Sequence, residues 1–85
     1  MNSTMTMTSA AIIRDVIVAA YQETLHDDGL GPDSDFYEAG GDSLTAVQII
    51  ARLRSAFGIV VPVATVFACP TPDALAAAVA AAAAG

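Results

Sequence analysis

One serine in this chain sits where its hydroxyl could do chemistry. Ser43 follows two glycines and an aspartate in Gly40-Gly41-Asp42-Ser43-Leu44 and opens the most strongly patterned segment of the sequence. Glycines permit tight or left-handed backbone conformations, so the chain can turn sharply and leave the hydroxyl in the open. From Thr45 to Phe57 apolar residues recur at helical spacing, with Ala46, Ile50, Leu53 and Phe57 on one face. Ser43 is thereby placed in the first turn of a helix, where unpaired backbone N–H groups and the helix dipole favour an anionic group. A serine that carries a phosphate ester suits such a position. Ser and Asp just before a helix also serve as plain N-caps.

A second chemistry is a serine nucleophile. Gly41-Asp42-Ser43-Leu44 matches the nucleophile tetrapeptide of a family of esterases and lipases. Such an enzyme needs a base to take the serine proton, normally a histidine held by a carboxylate. His26 is the one histidine and none follows Ser43, whereas those hydrolases carry their acid and histidine far downstream. The roughly forty residues after Ser43 are too few for the α/β sheet that holds such a site. No catalytic residue is assigned, and His26 reads as a residue of a helix's last turn.

The longer stretch Phe36-Tyr37-Glu38-Ala39-Gly40-Gly41-Asp42-Ser43-Leu44 resembles the attachment motif of the phosphopantetheine-dependent carrier proteins. The double glycine looks most like the peptidyl carrier domains of nonribosomal peptide synthetases. Many of those have histidine where this chain has Asp42, and aspartate there is also common among acyl carriers. The similarity runs from about Ile12 to Val79 and takes in Val61-Pro62, Phe67 and Pro70-Thr71. It implies a covalent 4′-phosphopantetheine on Ser43, moved there from coenzyme A by a phosphopantetheinyl transferase. The arm's thiol would hold an aminoacyl, peptidyl or acyl group as a thioester. An adenylating or acylating enzyme would load it, and condensing, tailoring or release enzymes would take it on. Such a protein is a substrate of enzymes and not an enzyme. With a methionine start and no synthetase domain attached, a freestanding peptidyl carrier is expected, and it is further expected to be monomeric and cytoplasmic. The alternatives are a polyketide-type or other acyl carrier, and a small helical adaptor that never receives the cofactor.

Composition narrows the partners. The 85 residues are enough for one domain, and 55% hydrophobic content excludes disorder. Residues 1–8 read as a flexible N-terminus, with Met1, Met5 or Met7 as the start, and 9–85 as the carrier domain. Nine carboxylates face only Arg14, Arg52 and Arg54, a net charge of −6. Non-specific nucleic-acid binding needs clustered cations, and anionic membranes would repel this chain. Basic protein surfaces would attract it. Cys69, the lone cysteine, excludes an internal disulfide and a cysteine-based metal site; its apolar flanks suggest a small buried hydrophobe. The N-terminus lacks the basic and apolar regions of a signal peptide, and no apolar run reaches the roughly 18 residues of a membrane span.

The elements that must position Ser43 are helical. Ser9 caps a first helix from Ala10 to Leu25, with Ile13, Ile17, Ala20 and Thr24 on one face and Val16 and Tyr21 flanking it. His26-Asp27-Asp28-Gly29-Leu30-Gly31-Pro32 stops it with glycines and a proline. The loop from Asp27 to Asp42 holds six carboxylates without the ligand spacing of an EF-hand, so no metal is assigned. Phe36 anchors this loop by filling the core. In the second helix, Ser43 to Phe57, Ala46, Ile49, Ile50, Leu53 and Phe57 form the core face, and Thr45, Gln48, Arg52 and Ser55 a polar stripe. Leu44, Val47 and Ala51 form a second apolar strip that starts beside Ser43, a surface for partner docking together with Asp42. Gly58 ends the helix, Pro62 to Phe67 makes a short helical turn, and Thr71-Pro72-Asp73 starts a last helix that runs through the alanines. The fold expected is an all-α, small four-helix bundle: three main helices, one short one, and a long loop between the first two.

Overall fold

A computed structural model describes residues 9–84. The expected flexible segment 1–8 lies outside the described residues. Helices α1 (Ala10–Thr24), α2 (Ser43–Phe57), α3 (Ala64–Ala68) and α4 (Pro72–Ala84) follow one another, with no strand among the described residues. The all-α bundle with its long first loop is therefore observed, and the short turn lies at Ala64–Ala68, about two residues later than the sequence suggests.

The three longer helices begin where side-chain caps stand, whereas α3 starts after Val63 without one. The Ser9 hydroxyl accepts from the Ile12 N–H at 3.2 Å, and the Thr71 hydroxyl accepts from the Ala74 N–H at 3.1 Å ahead of Pro72. α2 ends at Gly58, whose left-handed φ of 68° lets its N–H return to the Arg54 carbonyl. α1 ends differently from expectation. No glycine stops it; His26 takes the left-handed position at φ 56°, while the Asp27 N–H reaches back to the Gln22 carbonyl at 3.0 Å. Gly29 and Gly31 lie farther on, where the Gly29 N–H is held by the Asp27 carboxylate.

α1 is the common partner of α2 and α4, and α3 bridges α2 and α4. Ile13, Ile17, Ala20 and Tyr21 from α1, Ala46, Ile49 and Leu53 from α2, Val66 from α3, and Leu75, Ala76 and Val79 from α4 form the core, with Phe36 and Val61 from the loops. Burying an aliphatic side chain such as Ile13 or Ile17 contributes about 1.5–3 kcal/mol. Thr24 is only half-buried; its hydroxyl turns back onto the Ala20 carbonyl at 2.7 Å. Ile50 and Phe57 pack at the edge of the core, as does Cys69, half-buried at the end of α3 instead of inside it. Because α2 is gripped along one side by α1 and only briefly by α3, its far side stays open.

Candidate functional site

The approach to Ser43 is built around Phe36. Asp35 accepts the N–H groups of Tyr37 and Glu38 at 2.8 and 3.1 Å, which starts a tight turn. The turn closes when the Gly41 N–H donates to the Phe36 carbonyl at 2.8 Å. The Phe36 ring is fully buried and meets Tyr21, Tyr37 and Phe67 edge-on, with centroids 5.7–6.0 Å away. Its backbone is fixed as well, the Phe36 N–H donating to the Pro70 carbonyl at 2.9 Å. The same carbonyl accepts the Tyr21 hydroxyl at 2.6 Å. Burial first, and the charges of Asp35 and Cys69 next, push the Tyr21 phenol well above its ordinary range, so it stays a neutral donor.

The two glycines before the site answer two different demands. Gly40 has φ 89°, a conformation that L side chains rarely adopt. Gly41 is needed for space: a Cβ there would lie 2.5 Å from both Cε atoms of Phe36 and closer still to Cζ. The double glycine thus lets the backbone lie directly against the ring that anchors the loop.

Asp42 is the N-cap of α2. Its carboxylate accepts the Thr45 N–H at 2.9 Å, and its own N–H donates to the Thr45 hydroxyl at 2.8 Å, a reciprocal capping box. The Thr45 N–H first, then the Thr45 hydroxyl and the Leu44 N–H, hold the Asp42 carboxyl below the usual carboxylate range. With the cap supplied by Asp42, Ser43 is free of that duty. It is exposed at the first position of α2, and its hydroxyl has no hydrogen-bond partner among the described residues.

The structure brings the sequence-predicted docking residues together with Ser43. Leu44 and Val47 are 65% and 50% exposed, and Ala51 is exposed one turn farther on. His26 is elsewhere: it lines a shallow polar groove with Glu23, Thr24, Gln48, Ala51 and Arg52, and Ser43 is not part of that groove. Several contributors have no local signature in the sequence. Tyr37 ties the approach loop to α3 by donating to the Phe67 carbonyl at 2.8 Å. Val60 and Val63 lie beside the outer face of α2, in a segment with no helical periodicity that would place them there.

A four-helix bundle that displays a free serine at the start of its second helix defines a class, and the comparisons with known proteins specify it. The family described as the phosphopantetheine attachment site matches residues 15–79, and the chain belongs to that family. It is 41% identical over 64 residues to the phosphinothricin tripeptide synthetase PhsC of Streptomyces viridochromogenes, which covers 75% of this chain and 6% of that protein. It is 36% identical over 62 residues to a dimodular nonribosomal peptide synthase of Bacillus subtilis, covering 73% of this chain and 3% of the synthase. The chain therefore spans only a few per cent of the length of these curated relatives. Among solved structures it is similar to BlmI, a type-II acyl-carrier-protein from Streptomyces verticillus involved in bleomycin biosynthesis, with TM-score 0.80 and 26% identity over 85% of this chain and 87% of that one. A nonribosomal PCP domain gives TM-score 0.70 and 34% identity over 84% of this chain and 88% of the other. The fold and the phosphopantetheine cofactor expected from the motif are thus those of the family.

Proposed function

We propose that residues 9–85 form a peptidyl carrier, in which Ser43 bears 4′-phosphopantetheine and the protein presents an aminoacyl or peptidyl thioester to a series of enzymes. The observation that carries this reading is the exposed, uncommitted Ser43 hydroxyl beside an Asp42 that already caps the helix. The residues present fit the group. Attachment needs one accessible hydroxyl, and the first-turn N–H groups favour the negative charge of the resulting phosphodiester. Ser43 Oγ would bond to the pantetheine-side phosphorus of coenzyme A as the pyrophosphate P–O bond breaks and adenosine 3′,5′-bisphosphate leaves, the transferase supplying the base for the serine proton. When bound, the group supplies a thiol on a flexible arm. Anchoring at Ser43 keeps the cargo at an effective concentration on the order of mM for a docked enzyme.

The chain's own contribution is to present Ser43, not to catalyse; His26 lies apart from it in the polar groove. Asp42, Leu44, Val47 and Ala51 form the surface that the transferase, the adenylating or acylating enzyme and the downstream enzymes would grip in turn. The double glycine and the nonribosomal peptide relatives support peptidyl over polyketide-type cargo.

Incubation with coenzyme A and a promiscuous phosphopantetheinyl transferase, read by intact mass, should add one phosphopantetheinyl group, and peptide mapping should place it on Ser43. Ser43→Ala should abolish the gain while changing stability by no more than about 0.5 kcal/mol, since the cap is Asp42. Modification that persists in Ser43→Ala overturns the assignment. Loading of the modified chain by adenylating but not acyltransferase enzymes would identify the peptidyl subclass.

A further inference from the structure

A groove of about 520 Å³ runs along the outer side of α2, walled by Val47, Ile50, Ala51, Val60 and Val63, with Arg54 and Ser55 completing its lining. Apart from Ser55 the walls are aliphatic, and Arg54 is the one charged residue of the lining. Between Ser43 and Phe57 there is no acidic residue, and the two cations of α2 differ in what they do. Arg52 is paired with Glu23 of α1. The Arg54 guanidinium has no ion-pair or hydrogen-bond partner among the described residues. Its place in the last turn suits the helix dipole, which uses its charge and none of its five N–H donors. At the other end of α2 lies the loop that holds six of the nine carboxylates of the chain. The surface on either side of Ser43 is therefore of two signs, with Arg54 about 16 Å along the helix from the serine at 1.5 Å per residue.

We propose that this groove takes a partner-enzyme segment that presents an aliphatic side chain beside a carboxylate, the carboxylate pairing with Arg54. The inference rests on the reading of α2 as the docking face and specifies the chemistry of what docks there. A guanidinium at the edge of an apolar groove forms a charge-assisted, bidentate pair with a carboxylate, strengthened as water leaves the groove. A cationic side chain in the same place would meet like charge. Charges arranged in this way set orientation more than affinity. A partner that is basic opposite the acidic loop and acidic opposite Arg54 can seat itself only one way round, which aims Ser43 at its catalytic centre.

The test is an amide NMR titration of the full, unmodified chain with two blocked leucine–alanine hexapeptides, one carrying a single glutamate and the other a single lysine. The glutamate peptide should shift the Val47, Ala51 and Val60 amides at about tenfold lower concentration than the lysine peptide. The net charge of −6 would by itself favour the lysine peptide, so the two effects oppose each other. Arg54→Gln should erase the preference and Arg52→Gln should keep it. Equal or better binding of the lysine peptide, a preference that survives Arg54→Gln, or no shift in the groove overturns the proposal. So does movement of the same amides on loading the arm without any peptide, or on concentrating the chain alone; these would give the groove to the cargo or to a second copy. Modification of Ser43 is read separately by intact mass, so a failure of the groove and a failure of the carrier reading are distinguishable.

Discussion

Between Asp35 and Gly41 the chain is held from inside, whereas from Ser43 onward it is held from one side only. In the approach loop, Phe36 is locked by three aromatic neighbours, two backbone hydrogen bonds and a glycine with no room for a Cβ. In α2, Ala46, Ile49 and Leu53 are buried while Leu44 and Val47 on the opposite side are open to solvent. Both regions carry large apolar side chains, yet these serve different ends. Those of the loop fix where the serine stands; those of the outer helix face are exposed and contribute little to the fold, as the docking role proposed for them requires. A fixed mount beside an open surface is what the proposed visits by several enzymes would require.

Substitutions should separate the two regions by size of effect. Phe36→Ala removes the ring around which the loop is built and should cost about 3–5 kcal/mol in chemical denaturation. A loss below about 1 kcal/mol would mean that the loop holds without its anchor. Gly41→Ala should cost about 1–3 kcal/mol, because the ring must shift to admit a methyl group. It should also slow modification at Ser43 in the intact-mass assay; unchanged stability and rate would show that the ring moves freely. His26→Gly should instead stabilise by about 0.5–1 kcal/mol, since the left-handed φ of 56° is easy for glycine and strained for histidine. A lower melting temperature would point to a contact of the imidazole that outweighs backbone strain. The smallest effect on the fold belongs to the outer face: Val47→Asp should change stability by no more than about 0.5 kcal/mol while weakening docking by about 1–3 kcal/mol. If it unfolds the chain as Leu53→Ala should, Val47 belongs to the core and the contrast between the two faces of α2 disappears.

Local signals were readable in the residues, and long-range ones were not. The start of α2, the Gly58 stop, the Thr71-Pro72 start of α4 and the exposure of Leu44 and Val47 follow from capping chemistry and helical periodicity. Phe36 as the loop's anchor was legible too, because a large aromatic in an acidic loop has little else to do. The end of α1 is where local signals mislead: Gly29 and Gly31 are available, but the hydrogen bond from Asp27 back to Gln22 closes the helix earlier, with a histidine in the left-handed position. Gly41 was legible as a glycine but not as the floor beneath a ring, which only the folded chain supplies. Arg54 and the Val60–Val63 wall come together across a turn that carries no periodic pattern.

The Pro70 carbonyl has one further consequence. Its oxygen accepts both the Tyr21 hydroxyl, 49 residues upstream, and the Phe36 N–H. The loop that presents Ser43 is thus completed by a residue synthesised well after the serine itself. A ribosome that had made α1, the loop and α2 would hold a serine without its finished mount. Loading of the prosthetic group should accordingly be an event in the life of the completed chain, timed by one carbonyl and not by the appearance of the motif.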